Sequence, residues 1–276
     1  MKINELKEEL QKEQQALRST LELLSKNIKL DQNREENLVE IKRNITKLKN
    51  ISENLHGDIY IQELKNWLRQ YELELRDTEQ ELIKAFGSKL DTALKTMGLS
   101  LSGQYPELRA GLFTLELDFD QWETKLWYGP KQELLGRCDL SVNKIVNLLA
   151  SEMKRLGSRL SEDELLEKLR KAYYRVVGIN CREPAPIIQV MAEMSFLIQN
   201  ARFLQDPKRE NFISYSRADF SYDLFRVKKG IYQSGLHLRT ATRAQTRQRF
   251  DFIWVPNDES GNGTAYSHLQ IEEKVE

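Results

Sequence analysis

Apolar residues in the first 55 positions recur at steps of three and four: Ile3, Leu6, Leu10, Leu17 and Leu24, then Leu38, Ile41, Ile45, Leu48 and Leu55. All ten fit one heptad frame, the pattern of a coiled-coil seam. The first glycine is Gly57 and the first proline is Pro106, so no backbone breaker interrupts this stretch. The seam turns polar at Asn27, Asp31 and Arg34. There the chain either weakens as a rod or reverses into an antiparallel hairpin. Phase is kept from Leu24 to Leu38, which favours one continuous helix, roughly 80 Å long at about 1.5 Å per residue. No ordinary domain covers a helix of that length, so its seam calls for a partner.

A second stripe, Ile61, Leu64, Leu68, Tyr71, Leu75 and Leu82, predicts a returning helix to about Met97. Residues 1–97 therefore read as a coiled-coil stem that pairs with itself or with another coiled-coil protein. An intramolecular hairpin is the alternative.

From Gly98 the texture changes, with Gly98, Gly103, Pro106 and Gly111 close together and more aromatic and β-branched residues. LRAGLFTLELDF and QWETKLWYG predict a hairpin with Phe113, Leu115 and Leu117 on one face. Ser141 is placed to cap a helix to about Leu156, and Ser161 with Glu164 forms a capping box for a helix ending at Gly178. Pro184 and Pro186 separate that helix from IIQVMAEMSFLIQNARFL, apolar enough around its circumference to predict a central buried helix. ENFISYS, FSYDLFRV, LHLRTATR, RFDFIWVPN and AYSHLQIE predict strands, with DESGNG as a hairpin loop between the last two. The expected fold is α+β: long N-terminal coiled-coil helices followed by a mixed helix and antiparallel-strand globular domain over 98–276.

Charge changes the picture only locally. The chain has 42 basic and 42 acidic side chains, so net charge supplies no general attraction to nucleic acid or anionic membrane. Residues 201–250 carry eleven Lys or Arg against four Asp or Glu. Within the basic segment at 202–249 stand Lys208, Arg209, Arg226, Lys228, Lys229, Arg239, Arg243, Arg247 and Arg249. Arginine offers a rigid fork of donors to phosphate oxygens. Spacing of four aligns Arg239, Arg243 and Arg247 on a helix; a strand would instead put His237, Arg239 and Arg243 on one face. DNA or RNA is the polyanion to expect, although pairing with the acidic C-terminal residues would cancel the patch. Aromatic residues interleave with the basic ones, and the alternation of Phe250, Phe252 and Trp254 predicts a buried strand face.

Other chemistry is sparse. Asp258, Glu272 and Lys274 loosely resemble the PD-(D/E)xK pattern of metal-dependent nucleases, whose carboxylates hold a divalent cation. The sequence ends two residues after Lys274, where that pattern normally continues into a helix and strand. His56, His237 and His268 are scattered, no phosphate-binding glycine loop occurs, and Cys138 and Cys181 show no metal-site spacing. No metal or other cofactor is expected. Neither a signal-like N-terminus nor a spanning segment is visible, so a cytoplasmic protein with no membrane partner is expected. The resulting expectation is a non-enzymatic coiled-coil assembly subunit whose C-terminal domain binds nucleic acid phosphates or a partner subunit. A metal-dependent nuclease or hydrolase, or a purely protein-binding adaptor, is the alternative.

Overall fold

A computed structural model describes residues 3–55, 59–179 and 182–271. The chain forms two compact units, 1–92 and 93–276. It is mixed α+β, with long N-terminal helices preceding antiparallel strands and helices.

In the first unit, α1 (Ile3–Leu30) and α2 (Arg34–Glu53) are joined by a three-residue 3-10 turn, Asp31–Asn33. The expected continuous helix is not formed, because the chain folds back at this turn. Lys26 pairs with Glu40 at 2.6 Å, and Asn44 reaches Asn27, contacts that a straight rod forbids. The polar seam residues make the reversal. Arg34 bridges Asp31 through Nε at 2.6 Å, and Asn37 Nδ2 donates to the Leu30 carbonyl at 3.0 Å. Heptad phase could not reveal this, since a rod and a hairpin bury the same stripe. α3 (Ile59–Thr96) then returns along α2 through the pairs Lys49–Glu72, Lys42–Glu79 and Glu35–Lys89. Their descending order against ascending order makes α2 and α3 antiparallel.

The ten seam residues divide into three sets. Leu38, Ile41, Ile45, Leu48 and Leu55 are buried inside the unit, as are Leu68, Tyr71 and Leu75 of α3. Leu24 is half-buried. Ile3, Leu6, Leu10 and Leu17 remain exposed, Ile3 at 82% and Leu10 at 57%.

The second unit begins with an antiparallel meander of five strands: β1 (Leu101–Gln104), β2 (Glu107–Ala110), β3 (Phe113–Asp118), β4 (Glu123–Tyr128) and β5 (Glu133–Asp139). The predicted hairpin is β3 with β4, in register from Phe113 opposite Tyr128 to Asp118 opposite Glu123. Phe113, Leu115 and Leu117 are buried together as their period of two requires. Helix α4 (Val142–Arg155) follows Ser141, whose side chain makes no capping hydrogen bond. Helix α5 (Glu162–Val177) has the full Ser161–Glu164 capping box and stops at Gly178, where φ is +91°.

Pro186 precedes α6 (Ile187–Leu197), but the apolar run does not continue as one helix. Gln199 exchanges two hydrogen bonds with the Ile213 backbone, and Asn200 caps a separate short helix, α7 (Ala201–Gln205). One face of α6 is buried through Ile187, Val190 and Met194, whereas Phe196 is exposed. ENFISYS is not a strand either. It carries a 3-10 turn at Arg209–Asn211, and its Ile213 backbone is satisfied by Gln199 in place of a ladder. FSYDLFRV lies mainly in helix α8 (Arg217–Arg226), fixed by a Ser216–Asp219 capping box. Its apparent alternation is overridden by the helical spacing of Phe220, Leu224 and Val227, which are all buried. Helix α9 (Lys228–Gln233) follows.

The second sheet centres on β9 (Gly263–Ile271), which pairs antiparallel with β7 (Leu236–Thr240), with β8 (Ile253–Pro256) and with the two-residue β6 (Ala185–Pro186). Its buried residues join those of α5, α6, α8 and α9 in one core. The connection from β7 to β8, residues 241–252, crosses the surface with one short 3-10 turn, Gln245–Arg247. No helix among the described residues is long and apolar enough to cross a membrane.

Candidate nucleic-acid interface

The β7–β8 connection gathers the exposed part of the basic segment. Leu236 and Leu238 point into the core, so the alternate positions His237 and Arg239 take the other face of β7. Arg239 is exposed there, opposite His268 of β9. Beyond Thr240 the strand stops, and Arg243, Arg247 and Arg249 follow on the connection, all exposed. The expected helical face is therefore absent. Arg243 does not share the strand face either, because only Leu236–Thr240 is strand.

The connection is nevertheless pinned along its length. Ala241 N–H donates to the Ala265 carbonyl at 2.8 Å, fixing the start to β9. Thr242 N–H and Oγ1 both donate to Gln245 Oε1, at 2.9 and 3.0 Å, and Thr246 N–H donates to the Thr242 carbonyl at 3.1 Å. The far end is held by Arg217, whose Nη2 donates to the Phe252 carbonyl. These bonds arise from a Thr-x-x-Gln spacing and from one half-buried arginine, signals too short to stand out from the sequence alone.

Arg217 was not among the expected site residues. It sits in the first turn of α8, and its Nε is buried without a hydrogen-bond partner among the described residues. Burial first, and then the positive charge of Arg249, hold the Arg217 guanidinium below its ordinary value, while Glu133 opposes the shift. The Arg217 guanidinium thus feels the like charge of Arg249 at the end of the connection. Arg239, Arg243, Arg247 and Arg249 have no carboxylate within ion-pair distance among the described residues.

Phe250 stands 73% exposed beside them. The expected buried face of Phe250, Phe252 and Trp254 is reduced to Trp254, because β8 begins only at Ile253. Trp254 packs edge-on against Tyr128, with ring centroids 5.8 Å apart.

Two other basic candidates, Arg226 and Lys228, are engaged within the fold. Arg226 donates from Nη2 to Asp223 Oδ1 at 2.7 Å and to the Leu160 carbonyl at 3.3 Å. Asp223 is itself buried and accepts from Ser158 N–H and Tyr215 Oη. Lys228 donates to Asn257 Oδ1 at 2.7 Å and lies over the Tyr266 ring. Lys208 pairs with Asp206 at 2.9 Å, and Arg209 and Lys229 are exposed on separate segments.

The carboxylate grouping gains no geometric support. Asp258 accepts from Ser260 and Asn262 within its own turn, bonds that hold its carboxyl below the usual range, those from the Ser260 and Asn262 side chains first. Glu272 and Lys274 lie outside the described residues, as do His56 and Cys181. Strand β9 separates the Asp258 turn from Ile271 by about 26 Å at roughly 3.3 Å per residue. Burial, and then Asp139, push the Cys138 thiol up to about 11, which keeps it protonated and poorly nucleophilic near neutral pH.

Comparison with protein-family models, with curated proteins and with solved structures finds no match.

Proposed function

We propose that this chain is a non-enzymatic assembly subunit of the cytoplasm: its N-terminal helices pair with a helix of another molecule, and its C-terminal unit binds nucleic acid phosphates. One observation carries the second half of the reading. Arg239, Arg243, Arg247 and Arg249 are exposed on one pinned segment, without carboxylate partners among the described residues, next to the exposed ring of Phe250. Guanidinium groups spaced along an ordered segment neutralise successive phosphates, and a neighbouring aromatic ring offers a stacking surface to an unpaired base. Together they favour a single strand of DNA or RNA over a duplex. No base-reading motif accompanies them, so recognition is of backbone and base faces, not of sequence. Mobility-shift titration of labelled single-stranded and duplex DNA and RNA tests this, using the full chain and the variant Arg239→Ala/Arg243→Ala/Arg247→Ala. Loss of the shift in the variant supports the reading; equal shifts in both refute it.

A further inference from the structure

The exposed stripe on the first half of α1 has a specific stereochemistry. Ile3, Leu10 and Leu17 occupy one heptad position and Leu6, Glu13 and Thr20 the other, in the frame that continues into the buried seam of α2. Residues 3 to 18 are exposed except Ala16, which is half-buried, and Thr20 is the first buried residue of the helix. The stripe is thus an extension of an interface that, farther along, is already closed within the molecule.

We infer that this stripe is covered by the same stripe of a second copy, running antiparallel, with Leu6 of each copy against Leu17 of the other. The inference rests on the assembly reading of α1 and is independent of nucleic acid binding. An antiparallel seam pairs the two heptad positions with each other, so the Leu6–Leu17 layer sets Leu10 against Glu13 and leaves Ile3 at the end of the seam, level with the already buried Thr20. The Leu6–Leu17 contact occurs twice by symmetry, as an isologous interface requires. Flanking charges agree with this choice. Lys7 falls beside Gln14 of the other copy and Glu9 beside Ala16, so no like charges meet.

A parallel, in-register pair is the poorer solution, because it sets Glu13 against Glu13 within the seam and brings two carboxylates together. In the antiparallel register each Glu13 lays its methylene groups over Leu10 and turns its carboxylate to water. Thr20 is already buried within the molecule, so the intermolecular seam stops short of it and is made by the Leu6–Leu17 and Leu10–Glu13 layers.

Disulfide trapping in the full chain decides the matter, in a background of Cys138→Ser and Cys181→Ser. Copies carrying Leu6→Cys are mixed with copies carrying Leu17→Cys, and Leu10→Cys is oxidised alone. The inferred arrangement gives a cross-linked dimer from the mixture and little from Leu10→Cys. Strong self-linking of Leu10→Cys with none in the mixture overturns the antiparallel register while leaving assembly through α1 in place. Sedimentation equilibrium of the unmodified full chain is run beside it, with Leu10→Lys as the control. Leu10 is exposed, so unchanged helical circular dichroism is expected in that variant, together with conversion of dimer to monomer. A full chain that stays monomeric at every concentration overturns the second copy as partner, and salt-dependent nucleic acid binding by that monomer would show that only this inference had failed.

Discussion

Asn44 Nδ2 donates to Asn27 Oδ1 at 3.0 Å, with both side chains almost wholly buried. Seventeen positions separate the two residues, about 25 Å along a straight α-helix. A buried amide pair in an apolar seam favours one alignment of the two helices, since other registers break this bond, although Asn27 Nδ2 is without a partner among the described residues even here. Asn44→Ala is expected to destabilise the helical unit by about 1–3 kcal/mol, because Asn27 stays buried without a partner. Replacing both by leucine is expected to recover most of that loss in urea denaturation. Additive losses in the double variant would show that the pair does not act as a unit.

Much of the helical unit was legible in the sequence, because heptad spacing directly reports which face of a helix is buried. The direction of the chain after Leu30 was not. It depends on local bonds from Asp31, Arg34 and Asn37, and any of these residues could equally sit on a solvated helix. In the second unit, β3, β4, β7 and β9 showed in alternation, while FSYDLFRV misled because eight residues cannot separate a period of 2 from one of 3.6. The arginine segment was visible as composition. Which basic residues were structural was not, because Arg226 and Lys228 find Asp223 and Asn257 only in the fold.

That division predicts opposite behaviour from similar substitutions. Arg226→Ala leaves the buried Asp223 without its cation and is expected to destabilise by roughly 3 kcal/mol. Arg243→Ala and Arg247→Ala are expected to change stability by less than about 0.5 kcal/mol each, as exposed side chains away from packed features. Thermal unfolding of the three variants checks the contrast.

Two glycine substitutions should also differ in sign. Gly129 has φ of +57°, and a Cβ there would lie 2.5 Å from the Trp254 ring, so Gly129→Ala is expected to cost about 1–3 kcal/mol through strain and displaced packing. Gly87 lies within α3, and a methyl group there would meet nothing within 4 Å, so Gly87→Ala is expected to stabilise by about 0.5–1 kcal/mol. Denaturant midpoints at unchanged slope are the readout.

The turn of the helical hairpin is sensitive to both extremes of pH. Hydrogen bonding from Arg34, and then from Tyr71 Oη at 2.7 Å, holds the Asp31 carboxyl below its ordinary value. A lowered folded-state value contributes stability that is present above the unfolded carboxyl range, near 4, and is lost as pH falls through the folded value. Burial, and then Asp31, push the Tyr71 hydroxyl up to about 12, so its contribution is complete below pH of about 10 and is lost as pH rises towards 12. Asp31→Asn is therefore expected to be less stable than the natural chain at pH 6. That gap should shrink on acidification to pH 3, and melting curves showing a constant gap would remove Asp31 as its source.

Phe250 separates stacking from charge. Phe250→Ala is expected to weaken single-stranded binding by about 1–3 kcal/mol with duplex binding nearly unchanged. Its salt dependence should stay that of the natural chain, since every arginine is kept. In fluorescence titration, unchanged single-strand affinity would place the ring outside the interface, and equal weakening on duplex and single strand would rule out stacking on unpaired bases.

Fluorescence anisotropy of labelled single-stranded RNA and DNA across a salt series, comparing the full chain with Arg239→Ala/Arg243→Ala/Arg247→Ala, tests the arginine segment most directly. The log of affinity should fall steeply with the log of salt concentration, and the variant should flatten that slope by about 2, at roughly 0.7 for each single-strand phosphate that an arginine no longer neutralises. Identical slopes in the two proteins, or no binding at low salt, would contradict phosphate recognition by this segment.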